Sequence, residues 1–280
     1  MLGVGTAGCT LILGYGDPVE EARAPLQDAG QESAPMPTID PGMPDAGDAA
    51  IDAAPFCETL SPKPSFCSSF DGTSFLSGWS NVPTSNVRIE RNAMSFVSPP
   101  ASLRIALERQ KDADVSGGVG VDFVEYQNKP FTMKIAFDVR VEAAAPQGAL
   151  AVIATPLLVF GTGGVSYIIQ LGCRPLADAS TVSIAIVEVK PASPGNAEHR
   201  STESLVIGKW AHVELTTVIA SAQTAGNTAK LVVDGRTAFE GALLLPIGSG
   251  TPSSSLGIAA IDSEATAWSM AFDNATIDIR

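Results

Sequence analysis

The sequence predicts an all-β fold, an antiparallel two-sheet jelly-roll sandwich, preceded by a disordered N-terminal tether. From residue 66 onward, apolar and polar residues alternate in short runs broken by turn residues, with no long helical periodicity. A parallel α/β sheet would need crossover helices between those runs, and none can be read. Residues 17–55 hold nine acids, one base (Arg23), seven prolines and no aromatic residue, too little apolar surface to fold.

The first short alternating runs span residues 86–91 and 102–107. Residues 131–142 (FTMKIAFDVRVE) alternate cleanly: Phe131, Met133, Ile135, Phe137, Val139 and Val141 share one face, and Lys134, Asp138, Arg140 and Glu142 the other. Residues 149–160 are apolar nearly throughout, as in a strand covered on both faces, and Pro156 within them marks a bulge or an edge. Runs at 165–171, 181–190, 210–219 and 229–234 continue the series. Asp234-Gly235 then turns the chain as a hairpin into 237–245, because glycine accepts the positive φ such turns require. Runs at 256–261 and 268–279 complete about twelve to fourteen strands.

The formal charge is −13, of which the tether carries −8, so the rest of the chain is only mildly acidic. With no cluster of lysines and arginines, nucleic acid is excluded as a partner. Cys57 and Cys67 flank Pro62 and Pro64, and a bridge between them is the simplest pairing in an exported protein, although either could pair with Cys173. If they bridge, Cys173 is left as a buried free thiol after an apolar run.

The run Thr6-Ala7-Gly8-Cys9 resembles the end of a bacterial lipoprotein signal, which implies lipidation at Cys9. The expected domains are then a signal remnant (1–9), an acidic Pro/Ala/Asp-rich linker (10–55) and a sandwich (56–280). As a flexible coil the linker spans about 40 Å. The implied location is outside the cytoplasm, extracellular or anchored to a bacterial outer membrane, with membrane contact only through the lipid and a monomeric state. Without the missing upstream signal, the tether is only a disordered leader.

Gly208-Lys209-Trp210-Ala211-His212-Val213-Glu214-Leu215, Leu231-Val232-Val233-Asp234-Gly235 and the closing Met270-Ala271-Phe272-Asp273-Asn274 resemble the concanavalin A-like lectin/glucanase superfamily, particularly its laminin-G-like members. The resemblance implies a jelly-roll binding glycan or protein. It also implies a structural calcium ion joining first and last strands, with Asp71 and Asp273 in the matching places; oxygen ligands suit that ion.

The segment Gly120-Val121-Asp122-Phe123-Val124-Glu125 resembles the catalytic strand of family 16 glucanases, but Gly120 stands where the nucleophile belongs, so the carboxyl pair is broken. Two histidines, His199 in a polar loop and His212 in a strand, give no zinc spacing. Trp210 and Trp268 fall in alternating strands and are expected in the core. Tyr126 and Tyr167 are the candidates for an exposed, sugar-binding face. The leading expectation is a non-catalytic surface module binding polysaccharide or a surface protein. The alternatives are a divergent glycoside hydrolase or lyase on the same sandwich, and a structural module with no small-molecule site.

Overall fold

The computed structural model describes residues 55–80, 84–85, 87–107, 115–144, 150–161, 164–190, 196–220, 225–247, 250–260 and 268–280. The signal-like residues with Cys9 and nearly all of the linker lie outside them. One helical turn (α1, Phe56–Thr59) precedes fifteen strands among the described residues: β1 (Phe66–Ser68), β2 (Thr84–Ser85), β3 (Val87–Asn92), β4 (Ser102–Leu107), β5 (Val115–Asp122), β6 (Phe131–Ala143), β7 (Ala151–Gly161), β8 (Gly164–Pro175), β9 (Thr181–Val189), β10 (Asn196–Val206), β11 (Trp210–Ile219), β12 (Thr228–Val233), β13 (Arg236–Ala242), β14 (Thr251–Ala260) and β15 (Ser269–Ile279).

Two antiparallel sheets result. The first runs β13-β12-β11-β6-β15-β4-β3, with β1 added on β15, and the second runs β10-β9-β8-β7-β14-β5-β2. The expected jelly-roll sandwich is therefore the observed fold. The inward faces meet as one core, in which Phe137 of β6 packs on Phe272 of β15 at 5.9 Å. Trp79, buried between Phe66 and Phe70, plugs the end of that core beside β1. The β12–β13 hairpin turns through Asp234 (φ 47°) and Gly235 (φ 76°), the paired positive dihedrals that suit its strand twist.

Cys57 and Cys67 form a disulfide with their Cα atoms 5.8 Å apart, and Cys173 is free and buried. Pro156 sits in a central strand, where the pairing of β7 with β8 shifts between Ala154 and Leu157, so the lost donor falls in a bulge.

Besides the short β1 and β2, two longer strands are not legible from periodicity. β5 (VSGGVGVD) is glycine-rich, and its glycines let β14 approach closely: a Cβ at Gly118 would lie 2.4 Å from the Leu256 carbonyl oxygen. Gly118→Ala is expected to cost about 1–3 kcal/mol through displaced backbone, read as a lower midpoint in urea unfolding. β10 was expected as a polar loop around His199; it is instead an edge strand whose polar residues alternate outward while His199 and Leu205 turn in.

Candidate functional site

Parity along the second sheet fixes which side chains leave the core. In β8, Tyr167, Ile169, Leu171 and Cys173 face inward, so Ile168, Gln170, Gly172 and Arg174 face outward. Register carries the outward set sideways: Gln170 pairs with Val187 of β9, and Val187 with Glu198 of β10. On the other side, Gln170 stands opposite the Thr155–Pro156 bulge, and Thr155 pairs with Ser255 of β14.

Most of this outward row is shielded from solvent although it points away from the core: Ile168 is 2% exposed, Val187 4% and Gln170 7%. Within this apolar floor the Gln170 carboxamide oxygen is buried with no hydrogen-bond partner. Such an orphan acceptor costs about 1–3 kcal/mol. At the rim, Glu198 is flanked by two guanidiniums, Arg174 at 3.6 Å and Arg200 at 3.4 Å. The face thus offers a carboxamide, two cations and a carboxylate on β8 and β10, on either side of β9.

The outward face of the first sheet is open and more highly charged. His212 Nδ1 lies 2.8 Å from Asp138 Oδ1, and its Nε2 lies 3.3 Å from Glu214, which pairs with Lys134 at 2.6 Å. The hydrogen bond to Asp138 raises the His212 pKa, against a smaller opposing effect of burial. This histidine is therefore expected to add stability below about pH 6.5, its ordinary value, and to lose that contribution as pH rises through the raised folded value. A melting temperature that falls across the neutral range in the wild type and less steeply in His212→Gln would verify the sign.

The residues singled out in the sequence occupy different places. Tyr167 is not on an exposed face: it is fully buried in the core, its hydroxyl donating to Glu188 at 2.7 Å. Burial, and then the Glu188 charge, push the phenol well above its usual range. Tyr126 is half-buried and donates to the Ile279 carbonyl at 2.8 Å, which pins the last strand. Both are tied to the fold.

Asp273 is wholly buried, and its oxygens accept from the backbone N–H groups of Val97, Ser98 and Asn274 and from the Ser98 hydroxyl. Burial nonetheless pushes its pKa up to about 6, and the charge of nearby Asp71 adds to the rise. Asp71 itself accepts from Ala101 N–H at 3.4 Å. No group of three or more His, Cys, Asp or Glu able to hold a metal occurs among the described residues. Asp122 ends β5 and Glu125 lies beyond it in a 3₁₀ turn, so the two do not share a strand face. Trp268 is in the core, but Trp210 is half-buried on the outward face, because its parity matches His212 rather than Val213.

Gln170, Glu198 and Arg174 escaped the sequence reading. A lone polar residue in the apolar run Tyr167-Ile168-Ile169-Gln170-Leu171 was the available signal for the first. Glu198 and Arg174 gave none, because β10 itself was missed.

No protein-family model matches the chain, and no curated protein matches it in sequence. Solved structures do share its fold. An endo-β-1,4-glucuronan lyase from the fungus Trichoderma reesei aligns over 77% of this chain and 95% of its own, with 15% identity and a TM-score of 0.57. A PL-14 alginate lyase from Aplysia kurodai aligns over 76% of this chain and 98% of its own, with 13% identity and a TM-score of 0.57. These neighbours correct the expectation of a non-catalytic binding module: the sandwich is one on which polysaccharide lyases are built.

Proposed function

We propose that the protein is a polysaccharide lyase that cleaves a uronic-acid polymer outside the cell by β-elimination on the outward face of the second sheet. The observation that carries this is the buried Gln170, its carboxamide oxygen without a partner, on the same sheet face as the Arg174–Glu198–Arg200 cluster. The likeness to a glucuronan lyase and an alginate lyase over nearly their whole length supports the substrate class.

Elimination needs the uronate carboxylate neutralised so that the adjacent C5 proton becomes acidic, and a base to take that proton. In this scheme Arg174 and the amide N–H of Gln170 donate to the carboxylate, while the unpartnered Gln170 oxygen accepts from a sugar hydroxyl. As Arg174 turns to the substrate, Glu198 is freed to accept the C5 proton. The C4–O4 bond then breaks, a C4=C5 double bond forms, and the departing oxygen takes up a proton. Hydrolysis by paired carboxyls fits this face poorly. Its other acid, Asp122, lies five strands from Glu198, about 24 Å at the usual strand spacing, whereas glycosidase pairs stand roughly 5–9.5 Å apart.

The test is incubation of the full chain with alginate and with polyglucuronate while following the ultraviolet absorbance of the unsaturated product. Absorbance growing with new reducing ends is expected. New ends without absorbance would mean hydrolysis, and neither signal on any uronan would end the lyase reading.

A further inference from the structure

We infer that the outward face of the first sheet carries a second saccharide site, built on Arg140, Ser95 and Trp210, which takes a carboxylate-bearing sugar of a polymer. It lies on the sheet opposite the proposed reaction site. The choice of a uronate over other carboxylates rests on the lyase reading.

Arg140 of β6 is half-buried, and no acid pairs with it among the described residues. Its terminal nitrogen donates to Ser95 Oγ at 2.5 Å, while its Nε–H is buried without an acceptor. Two other arginines on this sheet are neutralised, Arg104 by Glu90 and Glu142 at 2.6 Å and Arg88 by Glu90, while Arg91 donates to the Asp71 carbonyl. Asp138 and Glu142 flank it on the same face but are engaged by His212 and Arg104, so the terminal nitrogens of a guanidinium held in place remain for a planar oxyanion.

Trp210 is its direct cross-strand partner on the same face. It is the partly exposed tryptophan, since Trp79 and Trp268 are buried. On the other side Arg140 pairs with Ala271, which is fully buried, so the open side of the guanidinium is the one toward Trp210. Ser95 is flanked in the chain by two exposed apolar residues, Met94 and Phe96. An aromatic face next to a fixed cation, with apolar walls, suits a sugar ring carrying a carboxylate. Occupied together with the reaction site, this second site would hold a long chain at two points and strengthen binding of polymer over short oligosaccharides.

Tryptophan fluorescence of the full chain titrated with alginate tests this, because the responsive ring is Trp210. Quenching is expected in the wild type and in Gln170→Ala, with roughly tenfold or more loss of affinity in Arg140→Gln; neutral dextran should give none. Matching circular dichroism and melting of Arg140→Gln would show that its fold is intact, and Ser95→Ala, which only loosens the guanidinium, should weaken binding less. Quenching that survives Arg140→Gln, or is absent while the wild type still cleaves alginate, overturns the second site. Arg140-dependent quenching without cleavage would leave this site standing and remove the lyase reading alone.

Discussion

Replacing Glu188 by alanine is expected to lower stability by about 3–5 kcal/mol, the largest effect of any single truncation considered for this fold. The carboxylate is fully buried. One oxygen accepts from His199 Nε2 at 2.5 Å and Leu244 N–H at 2.8 Å, and the other from the Tyr167 hydroxyl at 2.7 Å and Leu245 N–H at 3.0 Å. Truncation leaves the buried Tyr167 hydroxyl and His199 ring without this partner and takes the acceptor from the Leu244 and Leu245 N–H groups as well. Glutamine does not rescue the site, because either orientation points an amide N–H at a backbone N–H. Tyr167→Phe removes only one donor and should cost about 1 kcal/mol. In a domain of this size each kcal/mol shifts the melting temperature by roughly 2–4 °C, so the two variants separate clearly in a thermal melt. If Glu188→Ala melted no lower than Tyr167→Phe, the carboxylate would not be the clamp described.

The second large effect is on catalysis. Gln170→Ala is expected to reduce kcat on a uronan by about 10²–10³, the usual loss when one preorganised donor to developing charge is removed. KM should change little, because the rest of the floor still holds the chain. Arg174→Ala should lower kcat similarly. Stability should not fall with Gln170→Ala, since the carboxamide oxygen makes no internal bond to lose. Unchanged turnover in both variants would move the reaction away from this face, whatever the substrate proved to be.

Periodicity carried most of the architecture. The alternation of residues 131–142 gave β6 and its buried face, and Asp234-Gly235 gave a hairpin that the dihedrals match. Strands whose outward side is polar and whose inward side is thin were hidden. In β10 only His199 and Leu205 are buried, too sparse a signal to separate from a loop. The site was less legible than the fold, because it depends on parity. Tyr167 and Gln170 lie in one strand three residues apart, hence on opposite faces, and a period of two cannot say which face meets the core when both are apolar. Cross-strand proximity, such as Glu198 beside Arg174, exists only once register is known.

The disulfide between Cys57 and Cys67 bears on how the domain withstands tension. A pull on the chain from the N-terminal side reaches Cys57 and passes through sulfur directly to Cys67, leaving residues 58–66 slack. Cys67 lies opposite Thr276 of β15, which is flanked by β6 and β4 in the first sheet. The load therefore enters at β1, which hydrogen-bonds to β15 alone, and the bridged loop of residues 58–66 does not lengthen under it.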